Sequence, residues 1–171
     1  DWNTSEVKWM GYTFSGATSF NQPIGDWNVS SIVTMVGMFN EAESFNQAIG
    51  NWNTSTVTDM RWMFIRASSF NQPIGSWDVS NVSNMEGMFQ DAKLFNQNLS
   101  DWNITAVSDM GNIFKSASGM SDTNKAAIHY AFKSNPNWTT DWSSYVGSTP
   151  LNDSNFQTAV NLWFSDEANA T

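Results

Sequence analysis

The stretch WNVSSIVTMVGMFNEAESFNQAIGN, residues 27–51, decides the fold, because the chain repeats it. Trp recurs at 2, 27, 52, 77 and 102, and Met at 10, 35, 60, 85 and 110. Phe recurs at 14, 39, 64, 89 and 114, and Ala at 17, 42, 67, 92 and 117. Phe-Asn-Gln begins at Phe20, Phe45, Phe70 and Phe95. Every step is 25 residues without insertion. Several columns locked to one period mean stacked supersecondary units, each covering the apolar face of its neighbour.

Within one unit, the β-branched run around Ile32 predicts a short strand. The column of Val7, Ile32, Val57, Val82 and Val107 is apolar throughout and points inward. Thr34, Asp59, Asn84 and Asp109 precede the Met column and are N-cap types; Trp9 departs from them in the first unit. Met35, Met38, Phe39 and Ala42 follow at i, i+3, i+4 and i+7, which predicts a short amphipathic helix. Gln22-Pro23-Ile24-Gly25 and its counterparts close each unit with a turn. Asn21, Asn46, Asn71 and Asn96 are placed to form a buried amide ladder. The expected fold class is a leucine-rich-repeat-like solenoid: about five strand–turn–short-helix coils with a parallel β-ladder, plus a C-terminal helical cap. Residues 1–120 are the repeat region. Residues 121–171 are read as a two-helix cap or inter-block linker, with helices over 122–133 and 154–164.

Length and composition bound the rest. The chain has 171 residues, a hydrophobic fraction of 40% and 10 Trp, enough for a sizeable core. The formal charge of -9 argues against nucleic acid as a partner, since phosphate neutralisation needs Lys and Arg. No apolar run is long enough to cross a bilayer, so membrane insertion by this segment is not expected. Zero Cys and one His exclude disulfides, Cys-based zinc sites and poly-His cages. The column Asp26, Asn51, Ser76 and Asp101 suits turns better than Ca²⁺, which needs six to eight oxygens. No catalytic constellation accompanies His129, so no enzyme activity and no cofactor are expected. The Asn-x-Ser/Thr triplets at Asn3, Asn28, Asn53, Asn81, Asn103 and Asn137 arise largely from the repeated turn. The first residue falls inside a repeat, which reads as a piece of a longer protein.

The string Phe-Asn-Gln-x-Ile-Gly-x-Trp-Asn-x-Ser-x-Val-x-x-Met-x-x-Met-Phe-x-x-Ala resembles the BspA-like class of leucine-rich-repeat proteins, a bacterial surface repeat also abundant in mycoplasma lipoproteins. The resemblance covers residues 1 to about 120 and implies a secreted or cell-surface location, with adhesion or protein binding as the role. It carries no catalytic motif.

Two sets of residues are candidate ligand contacts. The first is the outward strand face, Ser31, Val33, Thr56, Thr58, Asn81, Ser83 and Ser108. The second is the repeat-breaking aromatics Trp9, Tyr12 and Trp62. The function expected from them is non-catalytic extracellular recognition of a protein or glycan. Alternatives are a structural spacer, end-to-end self-association, an ice-binding surface through the Thr56-x-Thr58 pair, or a polysaccharide-acting enzyme.

Overall fold

The computed structural model describes residues 2–146. The expected helix over 154–164 lies outside them. The repeat columns form the core: Ile32, Met35, Met38, Phe39, Ala42 and Phe45 are all fully buried, as are their counterparts in the third unit. Phe39, Phe64 and Phe89 stack at 5.5–5.7 Å with planes 4–8° apart. A second column, Phe45, Phe70 and Phe95, runs beside it at 5.9–6.1 Å. Within each unit the two columns touch at 3.9–4.0 Å.

The expected fold class is overturned. Among the described residues there is no sheet; pairing is limited to isolated parallel bridges linking Trp9, Thr34, Asp59, Asn84 and Asp109 in sequence. No helix lies within the repeats. The units are built of turns, not of strand–turn–short-helix coils carrying a parallel ladder.

The backbone explains both failures. A turn closes on each side of the β-branched run, Ile32 N–H to Val29 O and Met38 N–H to Met35 O. Only Val33 to Met35 remain to pair with neighbours in extended form, Val33 N–H to Lys8 O, Met10 N–H to Thr34 O and Met35 N–H to Asp59 O. The predicted helix fails because an α-helix needs each N–H to reach the carbonyl four residues back. Here Met38, Asn40 and Ala42 donate three residues back, to Met35, Gly37 and Phe39. The alternate N–H groups of Gly37, Phe39 and Glu41 donate instead to Arg61, Met63 and Ile65 of the next unit. The spacing i, i+3, i+4, i+7 therefore marks the buried side correctly, but in a chain of turns.

These turns need left-handed residues. Positions 12, 37, 62, 87 and 112, and again 16, 41, 66, 91 and 116, have φ between 56° and 72°. In the turns closed at Met38 and Ala42, Gly37 and Glu41 occupy the i+2 position that type II geometry assigns to φ > 0. Most of these positions are not Gly, and each L residue there is strained by about 1–2 kcal/mol. Ser116 has φ 60°, and among the described residues its hydroxyl makes no hydrogen bond. Ser116→Gly is therefore expected to stabilise the chain by about 0.5–1 kcal/mol, after allowing for glycine's greater freedom when unfolded. A urea melt with an unmoved or lowered midpoint contradicts this.

The Asn ladder forms, but at the surface. Asn21 Oδ1 accepts from Asn46 N–H at 2.9 Å and from Gln47 Nε2 at 3.0 Å, and the pattern repeats through Asn71 and Asn96. The Trp column adds a third tie. The indoles of Trp52, Trp77 and Trp102 donate to the Ile24, Ile49 and Ile74 carbonyls, 28 residues earlier in the chain, at 3.1–3.2 Å.

α1, Asp122–Phe132, follows the repeats, with Ser121 as N-cap accepting from Asn124 N–H. It continues the Asn ladder: Ser121 N–H and Asn124 Nδ2 both donate to Asn96 Oδ1. Ile128 and Phe132 join the repeat core. Beyond α1, Asn135 Nδ2 bonds the Ile104 and Val107 carbonyls, and Trp142 lies 5.0 Å from Phe114. This end of the stack is covered.

Candidate functional site

The structure sets the strand-face candidates in two lines, one residue per unit. Val33, Thr58, Ser83 and Ser108 form one line; Ser31, Thr56 and Asn81 form the other. The buried column of Ile32, Val57, Val82 and Val107 separates them. All seven side chains are exposed except Ser31, which is half-buried.

Their hydrogen bonds run along the stack. Thr58 Oγ1 donates to Val33 O at 3.2 Å, Ser83 Oγ to Thr58 O at 3.1 Å, and Ser108 Oγ to Ser83 O at 3.0 Å. Each of those carbonyls also accepts the backbone N–H of the same residue. Thr56 Oγ1 lies 2.8 Å from Ile32 O, and Asn81 Nδ2 donates to Ser55 O at 2.8 Å. The hydroxyl protons of Thr56, Thr58, Ser83 and Ser108 are engaged within the fold, so the face offers oxygen lone pairs, methyls, the Ser31 hydroxyl and the Val33 side chain. Among the described residues, Ser31 and Val33 make no side-chain hydrogen bond.

The repeat-breaking aromatics have a structural logic the sequence reading missed. Column 12 reads Tyr12, Gly37, Trp62, Gly87, Asn112. A Cβ at Gly37 would collide with the Tyr12 ring, and one at Gly87 would lie 3.0 Å from Trp62 Cδ1. Each large ring thus leans across the next unit, and a glycine makes room for it. The signal was available as two glycines 50 residues apart in one column. Tyr12 remains half exposed and Trp62 is half-buried, with the Arg61 guanidinium 5.5 Å from the Trp62 ring. Trp9 is 78% exposed at the bridge position beside Thr34. Trp9 and Tyr12 belong to the first unit and Trp62 to the third, so the three do not form one cluster within a unit.

The polar residues ahead of the Met column cap turns. Asp59 Oδ1 accepts from Arg61 N–H, Asn84 Oδ1 from Glu86 N–H, and Asp109 Oδ1 from Gly111 N–H. Asp78 holds a similar Asx turn, and the Ser80 hydroxyl and N–H hold its carboxyl below the usual carboxylate range. A shallow charged patch lined by Glu43, Arg66, Ser68, Asp91 and Lys93 was also missed, with Arg66 paired to Glu41 beside it. His129 is held in the packing beyond the last unit. Its Nδ1 accepts from the Trp138 indole at 3.1 Å and from Trp142 N–H at 3.3 Å. Among the described residues, no group of three His, Cys, Asp or Glu could hold a metal ion. Nor is any helix there long and apolar enough to cross a membrane.

A family model described as "Mycoplasma protein of unknown function, DUF285" matches residues 1–55 and again 46–144. The matches run over most of the chain, which belongs to this repeat family. The match accords with the mycoplasma side of the resemblance and does not single out the BspA-like leucine-rich-repeat class. No curated protein matches the chain, and no solved structure matches it.

Proposed function

We propose that the chain is a non-catalytic recognition module of a bacterial surface or secreted protein, binding an extracellular protein or glycan through the face of Ser31, Val33, Thr56, Thr58, Asn81, Ser83 and Ser108. The observation that carries this reading is the regular, exposed line of Thr58, Ser83 and Ser108, small polar side chains each fixed by a bond to the preceding unit. Such a surface loses little side-chain entropy on binding, so modest contacts yield more net affinity. The likeness of the repeat to BspA-like surface repeats supports the same role and location. His129, whose Nδ1 is occupied by Trp138 and Trp142, offers no support for catalysis.

A structural spacer is the second reading. The internal use of the hydroxyl protons favours it, because a face that satisfies its own donors needs no ligand.

The test is a binding screen against matrix proteins and a glycan panel, with Ser31→Lys/Val33→Glu beside the unsubstituted chain. Neither side chain hydrogen-bonds among the described residues, so the melting temperature should hold. Loss of affinity by at least about tenfold is expected, as for truncation of a central contact. Binding that survives moves the site off this face. No binding across the panel favours the spacer.

A further inference from the structure

The proposed ligand face is one-sided in its hydrogen bonding. Thr56, Thr58, Ser83 and Ser108 each spend their single hydroxyl proton on a carbonyl of the unit before. One N–H of Asn81 goes to Ser55 O. An oxygen whose proton is committed can accept a bond and cannot donate one. The side chains of the two lines therefore keep as donors only the half-buried Ser31 hydroxyl and the second Asn81 N–H. Everything else polar on them is lone pairs, repeated at the spacing of the units, about 4.8 Å for bridged extended chains.

Charge points the same way. From the second to the fifth unit, residues 28–34, 53–59, 78–84 and 103–109 make up this face and its borders. They hold Asp59, Asp78 and Asp109, and no Lys or Arg. Asp59 is paired with Arg61 at 3.4 Å. Asp78 and Asp109 are exposed and form no ion pair among the described residues. In the first unit Glu6 and Lys8 offset each other. Other cations stand elsewhere: Arg66, Lys93 and Lys115 follow the Met column of their units, and Lys125 and Lys133 lie in α1 and at its C-cap. The field over the face attracts positive charge.

We propose that the partner of this face is a lysine-rich segment of another protein. The proposal rests on the face being the ligand surface, and it names the chemistry such a surface selects. An ammonium group has three donors and no acceptor, the complement of a row of acceptors. It is compact and is met by single oxygens, whereas a guanidinium fork is matched by the paired oxygens of a carboxylate or phosphate. Asp78 and Asp109 add attraction at the borders, where rim charges act on encounter and on partner choice. A carboxylate or sulfate ligand would meet lone pairs and like charge.

Fluorescence anisotropy of a labelled oligolysine peptide, titrated with the full chain at low salt, tests this. Saturable binding is expected, and none of an oligoglutamate peptide. Asp78→Asn/Asp109→Asn should weaken it at least about fivefold, for two exposed charge contacts. The fold tolerates that change, because Asn28, Asn53 and Asn103 accept the turn bond that Asp78 accepts, and Asn84 the one that Asp109 accepts. Thr58→Val/Ser83→Val removes two acceptors without altering charge, and Val33 already occupies that column. It should weaken binding at least about threefold. Glu43→Gln/Asp91→Asn, which removes as much charge on another edge, should stay within about twofold of the unsubstituted chain. Oligolysine binding indifferent to both face variants, or weakened as much by the control, overturns the proposal. So does a glucosamine oligomer of equal charge that binds more tightly than the peptide. The two readings fail separately. If oligolysine does not bind but a panel ligand is lost in Ser31→Lys/Val33→Glu, the face stands and its lysine-rich partner falls. If the panel ligand survives that variant, the face itself falls.

Discussion

Phe64→Ala is expected to remove about 4 kcal/mol of stability, the middle of the range for deleting a buried aromatic. Phe64 is fully buried and touches four rings: Phe39 at 5.5 Å, Phe89 at 5.7 Å, Phe70 at 4.0 Å and Trp77 at 6.3 Å. Above and below it the units are tied by backbone bonds to fixed carbonyls, Phe64 N–H to Met88 O and Phe39 N–H to Met63 O. The stack cannot close over the void without breaking those bonds, so the cavity cost adds to the lost transfer energy. Against a typical total of about 5–15 kcal/mol, this change leaves a marginal fold. Phe14→Ala is the informative comparison. Phe14 occupies the same column in the open first unit and is only partly buried, so its loss should cost roughly half as much or less. Urea unfolding of both variants, followed by far-UV circular dichroism, checks the pair. Equal losses at the two sites contradict the central role given to inter-unit stacking.

The Phe column shows what could be read from the sequence. Its 25-residue recurrence requires that the same ring meet its own copy, and the rings do. The inward Ile32 column was legible for the same reason, since its neighbours vary and it does not. Conformation was not legible. Met35, Met38, Phe39 and Ala42 satisfy helical spacing, and all are buried, yet their backbone alternates between bonds three residues back and bonds to the next unit. A periodicity argument locates the buried side; it does not reveal where the N–H groups go. The sequence did hold a hint against the helix. Gly16, Gly37 and Gly87 fall at the two left-handed positions of their units, where φ is positive.

The candidate face divides in the same way. Alternation about Ile32 placed Val33, Thr58, Ser83 and Ser108 outward, and they are exposed. That Thr58, Ser83 and Ser108 would each return a proton to the unit before depends on inter-unit geometry, which no spacing encodes. The Asn ladder was predicted from residue type and period and formed as expected in its bonding. It lies at the surface because its acceptors cap turns at the edge of each unit and the Phe rings beside them fill the interior.

Gly50→Ala is the second large effect, and it tests how closely the units approach. A Cβ at Gly50 would lie 2.5 Å from the Pro73 carbonyl oxygen. The obstacle is backbone of the next unit, so no side-chain rotation relieves it. Gly25 faces the Ala48 carbonyl and Gly75 the Asn98 carbonyl in the same way. The glycine column therefore exists for proximity; none of these three has positive φ. Adding the methyl requires the third unit to move away from the second, which loosens Trp77 Nε1 to Ile49 O and Trp52 N–H to Ile49 O beside it. Overpacking of this kind costs about 1–3 kcal/mol, and with those bonds weakened about 3 kcal/mol is expected. Gly16→Ala separates proximity from backbone strain. Gly16 has φ 72° and nothing within 4 Å of the added Cβ, so only the left-handed strain applies, about 1 kcal/mol. Denaturant midpoints for the two variants decide between them. If Gly50→Ala is no worse than Gly16→Ala, the units are not held at backbone contact, and the glycine column needs another explanation.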